Sequence, residues 1–181
     1  MNSLRKNLIG LSRADLANEL AKLDAKPFRV KQLWHWIYHQ GATDFNKMTS
    51  ISKQFREELI QYYEVKRPKI SCKETSSDLT QKWLIQFSDG NEAETVYIPE
   101  QDRGAVCISS QVGCTLNCTF CYTGTQKLVR NLTPDEIIGQ FMIVRDAYNE
   151  WPSPKDGGRK ISNIVIMGMG EPLFNYGNVA T

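Results

Sequence analysis

Three cysteines in one short stretch place the strongest constraint on what this chain can fold into. Cys114, Cys118 and Cys121 follow the spacing C-x3-C-x2-C, and Phe120 stands directly before the last of them as apolar cover. This spacing differs from the paired C-x2-C motifs of structural zinc sites. Three thiolates on one loop can hold three irons of a cubane iron–sulfur cluster and leave the fourth iron free to bind a substrate. The alternatives are a structural metal knot and three reduced core thiols.

The first hundred residues predict helices followed by a small β-sheet. Residues 1–66 carry apolar side chains at helical spacing, and Ser12 is a candidate N-cap for the first helix. Lys66-Arg-Pro-Lys69 marks a linker. Three strands are expected after it, at 69–75, 80–87 and 92–98. Ser88-Asp-Gly-Asn91 is a strong turn sequence between the last two strands.

The rest of the sequence predicts one strand–helix–strand unit. A strand at 105–109 is expected before the cysteine loop, and Thr133-Pro-Asp-Glu136 is a capping box that begins a helix. The apolar run 161–167 then predicts a buried parallel strand. Such a βαβ unit is the repeating piece of (βα) barrels, so the fold class is α/β. The predicted domains are a helical domain at 1–66, a β extension and linker at 67–100, and the beginning of a barrel at 101–181.

Gly168-Met-Gly-Glu-Pro172 follows the carboxyl end of the second strand of this unit. Folds of this kind bind ligands at that end of the strands. Glycines there let the backbone approach a ligand closely, and Glu171 can accept hydrogen bonds from an ammonium group. The plainer alternative is an ordinary βα turn.

Cysteine usage and charge bound the cellular setting. Five cysteines, odd in number and clustered, do not suit a secreted disulfide framework, and no run is long enough for a membrane span. We therefore expect a cytoplasmic protein without a membrane partner. Residues 1–75 hold 14 Lys or Arg against 8 Asp or Glu, whereas residues 76–181 hold 8 against 12. A basic amino-terminal part suits docking on phosphates, although a solvated helical surface would have the same composition.

Four motifs stand out beside the cysteine triplet, namely Glu94-Thr-Val-Tyr-Ile-Pro99, Cys107-Ile-Ser-Ser-Gln-Val-Gly-Cys114, Arg130-Asn-Leu-Thr133 and Gly168-Met-Gly-Glu-Pro172. Together with the triplet, they resemble the RlmN-type RNA methyltransferases of the radical S-adenosylmethionine (SAM) class. The resemblance covers nearly the whole chain and is most specific through residues 94–176. It implies the start of a partial (βα)6 radical SAM barrel, preceded by a small helical, RNA-contacting domain and a short β-hairpin extension.

The resemblance also implies a reaction, namely methylation of carbon 2 of an adenine in 23S rRNA and in tRNA through a methyl-cysteine. The implied cofactors are a [4Fe-4S] cluster on Cys114, Cys118 and Cys121, and SAM, whose amino group meets Gly170 and Glu171. Glu94 is then the expected proton acceptor from the adenine. Cys107 is the expected thiol that releases the product and forms a disulfide with a second cysteine. From the residues alone, Glu94 is rather a surface carboxylate paired with a lysine, and Cys107 is by default a small core residue of a strand.

The implied partners are the two RNAs and an external electron donor of the flavodoxin type, and a monomer is expected. No cysteine follows Cys121, and a single βαβ unit has unpaired edges that cannot close a barrel. We therefore expect the front part of a longer protein, inactive by itself. Two alternative functions remain, namely a related enzyme that methylates carbon 8 of the same adenine, and a non-catalytic metal-binding RNA module.

Overall fold

The computed structural model describes residues 5–101, 103–116, 118–152, 154 and 158–181. Residues 1–4 of the predicted helical domain, residue 102 and residue 117 of the cysteine loop lie outside the described residues. The described part of the chain is a mixed α/β fold, as the sequence predicts.

The amino-terminal part is helical, in agreement with the spacing of its apolar residues. Three α-helices are present in the described chain before residue 66: α1 (Arg13–Ala21), α2 (Phe28–Trp34) and α3 (Lys53–Tyr62). Ser12 caps α1, since its side chain accepts a hydrogen bond from the Asp15 amide at 3.1 Å. A π-helical turn, His35–His39, extends α2. The short strands β1 (Lys6–Asn7) and β2 (Tyr63–Glu64) pair in parallel and join the two ends of this part.

A five-stranded sheet follows, in the order β3-β4-β5-β6-β9. Its strands are β3 (Lys69–Thr75), β4 (Gln81–Gln86), β5 (Glu92–Pro99), β6 (Gly104–Cys107) and β9 (Asn163–Val165). The neighbours from β3 to β6 are antiparallel, whereas β6 and β9 are parallel. The sheet is therefore continuous across position 100, where the sequence predicts a boundary between the β extension and the barrel.

Three further elements complete the second half of the chain. They are β7 (Gln111–Val112), which pairs with β8 (Arg130–Asn131), the long helix α4 (Pro134–Ala147), and the single turn α5 (Tyr176–Val179). The predicted capping box begins α4, because Glu136 Oε2 accepts a hydrogen bond from the Thr133 amide at 3.0 Å. The connection β6–α4–β9 is the predicted strand–helix–strand unit.

The apolar run 161–167 contains the predicted parallel strand, but the strand is shorter than the run, and the prediction that it is buried is wrong. The strand β9 has three residues, and the side chain of Ile164 is 45% exposed. An edge strand is covered by a neighbour on one side only, and β9 lies at the edge of the described sheet beside β6. Ile161 and Ile166, on either side of β9, contact the second core, whereas β9 itself is not buried within the described residues.

Helix α4 lies between the helical part and the sheet. Met142 belongs to the hydrophobic core of the helical part, and Ile138 packs against that core. Ile137, Ile143 and Val144 belong to the second core, which the sheet forms on its covered face. An amphipathic helix normally buries one stripe, but α4 is apolar on two sides and so joins both cores.

The two faces of the sheet differ in cover. Side chains alternate along β5, so that Ala93, Thr95 and Tyr97 are buried while Glu94 and Val96 point to the other face. We call that second face, which carries the half-buried or exposed side chains of β4, β5 and β6, the open face. Two of the predicted site residues, Glu94 and Cys107, lie on it, since Cys107 pairs in register with Val96.

Candidate active site

The cysteine loop, residues 113–129, connects β7 to β8 and closes on itself through backbone contacts. The Cys114 amide donates to the Gln126 carbonyl at 3.3 Å, and the Cys121 amide donates to the Cys118 carbonyl at 3.1 Å. Gly113 has a φ of +74°, and a side chain there would overlap the Lys127 carbonyl group. The base of the loop therefore requires glycine at this position.

The three predicted ligands are free thiols, each partly exposed. They lie on one loop, but no group of three Cys, His, Asp or Glu side chains within the described residues is arranged to hold a metal ion. Phe120 is 90% exposed, so the prediction that it covers this site is wrong for the loop as described. What fits an iron–sulfur cluster is the donor set, because reduced thiols on a short loop are the ligands that such clusters use.

The loop that carries Gly170 and Glu171 lies against the segment between Cys107 and the cysteine loop. The Met169 amide donates to Ser109 Oγ at 2.9 Å, and the Met169 carbonyl accepts from the Ser110 amide at 2.9 Å. The Glu171 amide donates to Gln111 Oε1 at 3.0 Å. These bonds place the loop at the carboxyl ends of the parallel strands β6 and β9, where the sequence predicts a ligand site.

The backbone of this loop needs glycine at position 170, and a hydrogen bond to the Glu171 side chain fixes its conformation. Gly170 has a φ of +93°, a backbone conformation that residues with a side chain rarely adopt. Glu171 Oε1 accepts a hydrogen bond from the Leu173 amide at 3.1 Å and so caps the short 3-10 helix Pro172–Asn175. An ionised carboxylate has about four acceptor positions, so this cap leaves Glu171 able to accept from a ligand.

Gln140, to which the sequence analysis assigned no role, holds the backbone at the start of the site. It lies on α4, is fully buried, and its Oε1 accepts from the Ser109 amide at 2.8 Å and from Thr95 Oγ1 at 2.9 Å. Its Nε2 donates to the Ser109 carbonyl at 3.0 Å. The side chain thus replaces a strand neighbour for Ser109, which lies just beyond β6. A glutamine within an apolar helical stripe was the only available indication of such a role.

Ser110 contains a buried hydroxyl that is not satisfied by the rest of the chain as described. The residue is 1% exposed, and its Oγ has no hydrogen-bond partner among the described residues. Buried hydroxyl groups in native proteins usually have a partner. The Ser110 amide donates to the Met169 carbonyl at 2.9 Å, so this hydroxyl lies beside the loop that carries Gly170 and Glu171.

Arg130, which belongs to one of the motifs of the family resemblance, forms ion pairs that hold the fold together. Its guanidinium binds Glu136 at the start of α4 through two nitrogens, at 2.7 and 2.9 Å, and Asp89 in the β4–β5 turn at 2.5 Å. The Arg130 guanidinium holds the pKa of the Asp89 carboxyl well below its usual range. This ion pair fastens β8, and with it the end of the cysteine loop, to two other elements.

Glu94 and Cys107 lie on neighbouring strands of the open face. The Glu94 carboxylate is 45% exposed, and its Oε1 lies 3.3 Å from Lys82 Nζ. The hydrogen bond to Glu94 raises the pKa of the Lys82 ammonium, and the charge of Glu74 adds to this effect. The alternative interpretation of Glu94, a surface carboxylate paired with a lysine, therefore describes its position in this structure.

The Cys107 thiol is half-buried at the end of β6. Burial raises the pKa of this thiol, while a hydrogen bond with the Met167 backbone acts in the opposite direction. The thiol is therefore protonated at neutral pH, and a base must remove its proton before it can act as a nucleophile.

Comparison with known proteins places these features in a family context. Residues 6–65 match the family model described as the ribosomal RNA large subunit methyltransferase N-terminal domain. The chain is 62% identical, over all of its length and 40% of the relative's, to the dual-specificity RNA methyltransferase RlmN of Paramagnetospirillum magneticum. It is 63% identical to the RlmN of Rhodospirillum rubrum, over 96% of the chain and 41% of the relative. The chain thus spans about two fifths of the length of these curated relatives.

A solved structure has the same fold. The radical SAM methyltransferase from Sphaerobacter thermophilus matches with a TM-score of 0.83 and 36% sequence identity, covering 97% of this chain and 50% of the other. Within the part of the chain that the structure describes, no helix has the length and apolar character needed to cross a membrane.

Proposed function

Because the chain belongs to the RlmN family and matches the amino-terminal part of its members, we propose that it is that part of a radical SAM RNA methyltransferase. The proposed reaction is transfer of a methyl group to carbon 2 of an adenine in 23S rRNA and tRNA. The observation that carries this proposal is that Thr115 of the cysteine loop and the Met169 and Glu171 amides all donate hydrogen bonds to one segment, residues 109–111. A cluster site and a SAM site must be neighbours for this reaction.

In this proposal Cys114, Cys118 and Cys121 hold a [4Fe-4S] cluster, and Gly170 and Glu171 contact the amino group of SAM. When bound, the cluster supplies the electron for reductive cleavage of SAM, which provides the radical chemistry that a poorly nucleophilic adenine carbon needs. We also propose that β6, α4 and β9 are the first unit of a partial (βα)6 radical SAM barrel. The division into domains at 1–66, 67–100 and 101–181 is part of the same proposal.

Glu94 is the proposed proton acceptor. Its Oε1 lies 3.3 Å from Lys82 Nζ on the open face, and a carboxylate is a group that can accept a proton from the adenine. The pair is on the surface in the described structure, so substrate binding would have to replace Lys82 as the neighbour of the carboxylate. Cys107 is the proposed product-releasing thiol, and its partner would be a cysteine beyond Cys121, where this chain has none.

The proposed partners are the two RNAs and a flavodoxin-type electron donor, and we propose a cytoplasmic monomer. The support for RNA docking is the excess of Lys and Arg in residues 1–75. The support for a reducing compartment is the five free cysteines, since an oxygen-sensitive cluster needs reduced ligands.

Oxygen-free reconstitution of this chain with iron and sulfide tests the proposal. We expect a brown species with about four irons per chain and SAM cleavage on addition of a reductant. The Cys118→Ala variant should lose the cluster, and the matched Cys72→Ala variant, altered at an exposed thiol on β3, should keep it. Equal iron in both variants would overturn the proposal, and colourless zinc binding without cleavage would favour the metal-binding RNA module. Mass mapping of the adenine that the proposed longer protein methylates separates carbon 2 from carbon 8.

A further inference from the structure

Gln111 contacts every segment that carries the proposed cluster and SAM sites. The residue lies in β7 and is 1% exposed. Its Oε1 accepts from the Glu171 amide at 3.0 Å and from Thr115 Oγ1 at 3.2 Å. Its Nε2 donates to Asn131 Oδ1 of β8 at 2.7 Å. One buried amide group therefore touches the cysteine loop next to Cys114, the Glu171 loop and the strand that ends the cysteine loop.

The Glu171 loop lies as close to the Gln111 side chain as the backbone permits. A Cβ atom on Gly170 would lie 2.5 Å from Gln111 Cβ and 2.8 Å from Gln111 Oε1, well inside van der Waals contact. The Gln111 amide also donates to the Met169 carbonyl at 3.2 Å. The backbone and the side chain of Gln111 thus hold the same loop at two successive points.

We propose that Gln111 is a positioning residue that sets the distance between the cysteine loop and the Gly170–Glu171 loop. The inference rests on the proposed function, in which one SAM molecule must reach the cluster and Glu171 at the same time. Thr115 of the cysteine loop and the Glu171 amide donate to the same oxygen, Gln111 Oε1. This shared acceptor therefore fixes the position of one loop relative to the other. Misplacement of a binding group by about 1 Å is costly for a reaction of this kind.

The chemistry of the side chain makes the inference testable by two substitutions of nearly equal size. Gln111→Glu retains an oxygen that accepts from Glu171 and Thr115, and the Asn131 side-chain amide can turn so that its Nδ2 donates to the other carboxylate oxygen in place of the lost Nε2 bond. Gln111→Met retains the volume but has only a weak acceptor, and so leaves the Glu171 amide, on a half-buried residue, without a good partner. A residue that merely fills space would tolerate methionine at least as well as glutamate.

The first measurement needs no cofactor. We expect the Glu171 amide of the reduced chain, followed by NMR hydrogen exchange, to exchange at least about fivefold faster in Gln111→Met than in wild type. The rate in Gln111→Glu should stay near wild type. Gln86→Met, altered at a partly exposed glutamine of β4, is the matched control and should leave the rate unchanged. Unchanged exchange in Gln111→Met, or equal damage in Gln111→Glu, would overturn the inference.

The second measurement uses the reconstituted chain. We expect Gln111→Met to keep the iron content of wild type but to bind SAM about tenfold more weakly, with a smaller SAM-induced change in the cluster's electron paramagnetic resonance spectrum. A parallel loss of iron and of SAM binding would show that Gln111 only supports the fold, and would overturn the inference. A wild-type chain that takes up a cluster and binds no SAM would instead overturn the proposed function, whatever the exchange rates.

Discussion

Replacement of Gln140 by leucine should remove a large part of the stability of this chain. The leucine side chain has a similar volume but offers neither the acceptor for the Ser109 amide and the Thr95 hydroxyl nor the donor for the Ser109 carbonyl. All three residues are fully or almost fully buried, so water cannot replace the lost partners without opening the core.

The magnitude follows from the number of groups left without a partner. Three buried polar groups lose their hydrogen bonds, and each such loss costs about 1–3 kcal/mol. Since local relaxation recovers part of this cost, we expect Gln140→Leu to lower the free energy of unfolding by about 3–6 kcal/mol. The free energy of unfolding of native proteins is about 5–15 kcal/mol, so a loss of this size would leave the variant only marginally stable.

Urea-induced unfolding, followed by far-ultraviolet circular dichroism at 25 °C, measures this difference. Thr95→Val is the matched second variant, because it removes the Thr95 hydroxyl, one of the three groups that lose their partner in Gln140→Leu. The double variant should be less destabilised than the sum of the single variants by about 1 kcal/mol, because the hydroxyl that Gln140→Leu leaves unpaired is then absent. A loss below about 1 kcal/mol for Gln140→Leu, or strict additivity, would refute the reasoning.

Two other perturbations test the docking of the helical part and its charge interactions. Gly41→Ala should lower the free energy of unfolding by at least about 3 kcal/mol, because φ is +66° and the new Cβ would overlap the Trp151 ring. Gly90→Ala should lower it by only about 1 kcal/mol, since φ is +85° there but no atom lies within 4 Å of the new Cβ. Equal shifts in the two thermal unfolding midpoints would contradict this. Hydrogen bonds from two lysines lower the pKa of Glu19 to about 2, so its carboxylate stabilises the fold above pH 4.5 and less as the pH falls towards 2. The gap in unfolding midpoint between wild type and Glu19→Gln should therefore shrink over that range, and a constant gap would rule out this role.

Features that depend on a few neighbouring residues were predictable from the sequence. Ser12 and the Thr133–Glu136 capping box begin helices as expected, because a cap is completed within one turn. The turn between β4 and β5 forms at the expected residues, with Gly90 at positive φ and the Asn91 amide bonded to Asp89 Oδ1 at 3.0 Å. These structures need no information about distant parts of the chain.

Features that depend on distant neighbours were not predictable in the same way. The apolar run around β9 predicted burial, but burial depends on which strands and helices cover it, and Ile164 is 45% exposed. Gln111 carried no local pattern that marks a buried residue with several hydrogen bonds, and for Gln140 the one indication was its position within an apolar helical stripe. Their partners lie from 4 to 60 residues away along the chain, and only folding brings these partners within hydrogen-bond distance.

The order of amino acids alone named four thiols, one glycine and two carboxylates as candidates for one chemistry, because thiol spacing, a turn glycine and the motifs of a family resemblance are properties of short segments. Folding decided how these candidates are arranged. Gln111 joins the cysteine loop to the Glu171 loop, Gln140 holds the backbone between Cys107 and both loops, and Lys82 is the charged neighbour of Glu94. Hydrogen bonds and ion pairs act over about 3–4 Å, so they can only be assigned when the chain has brought distant residues together.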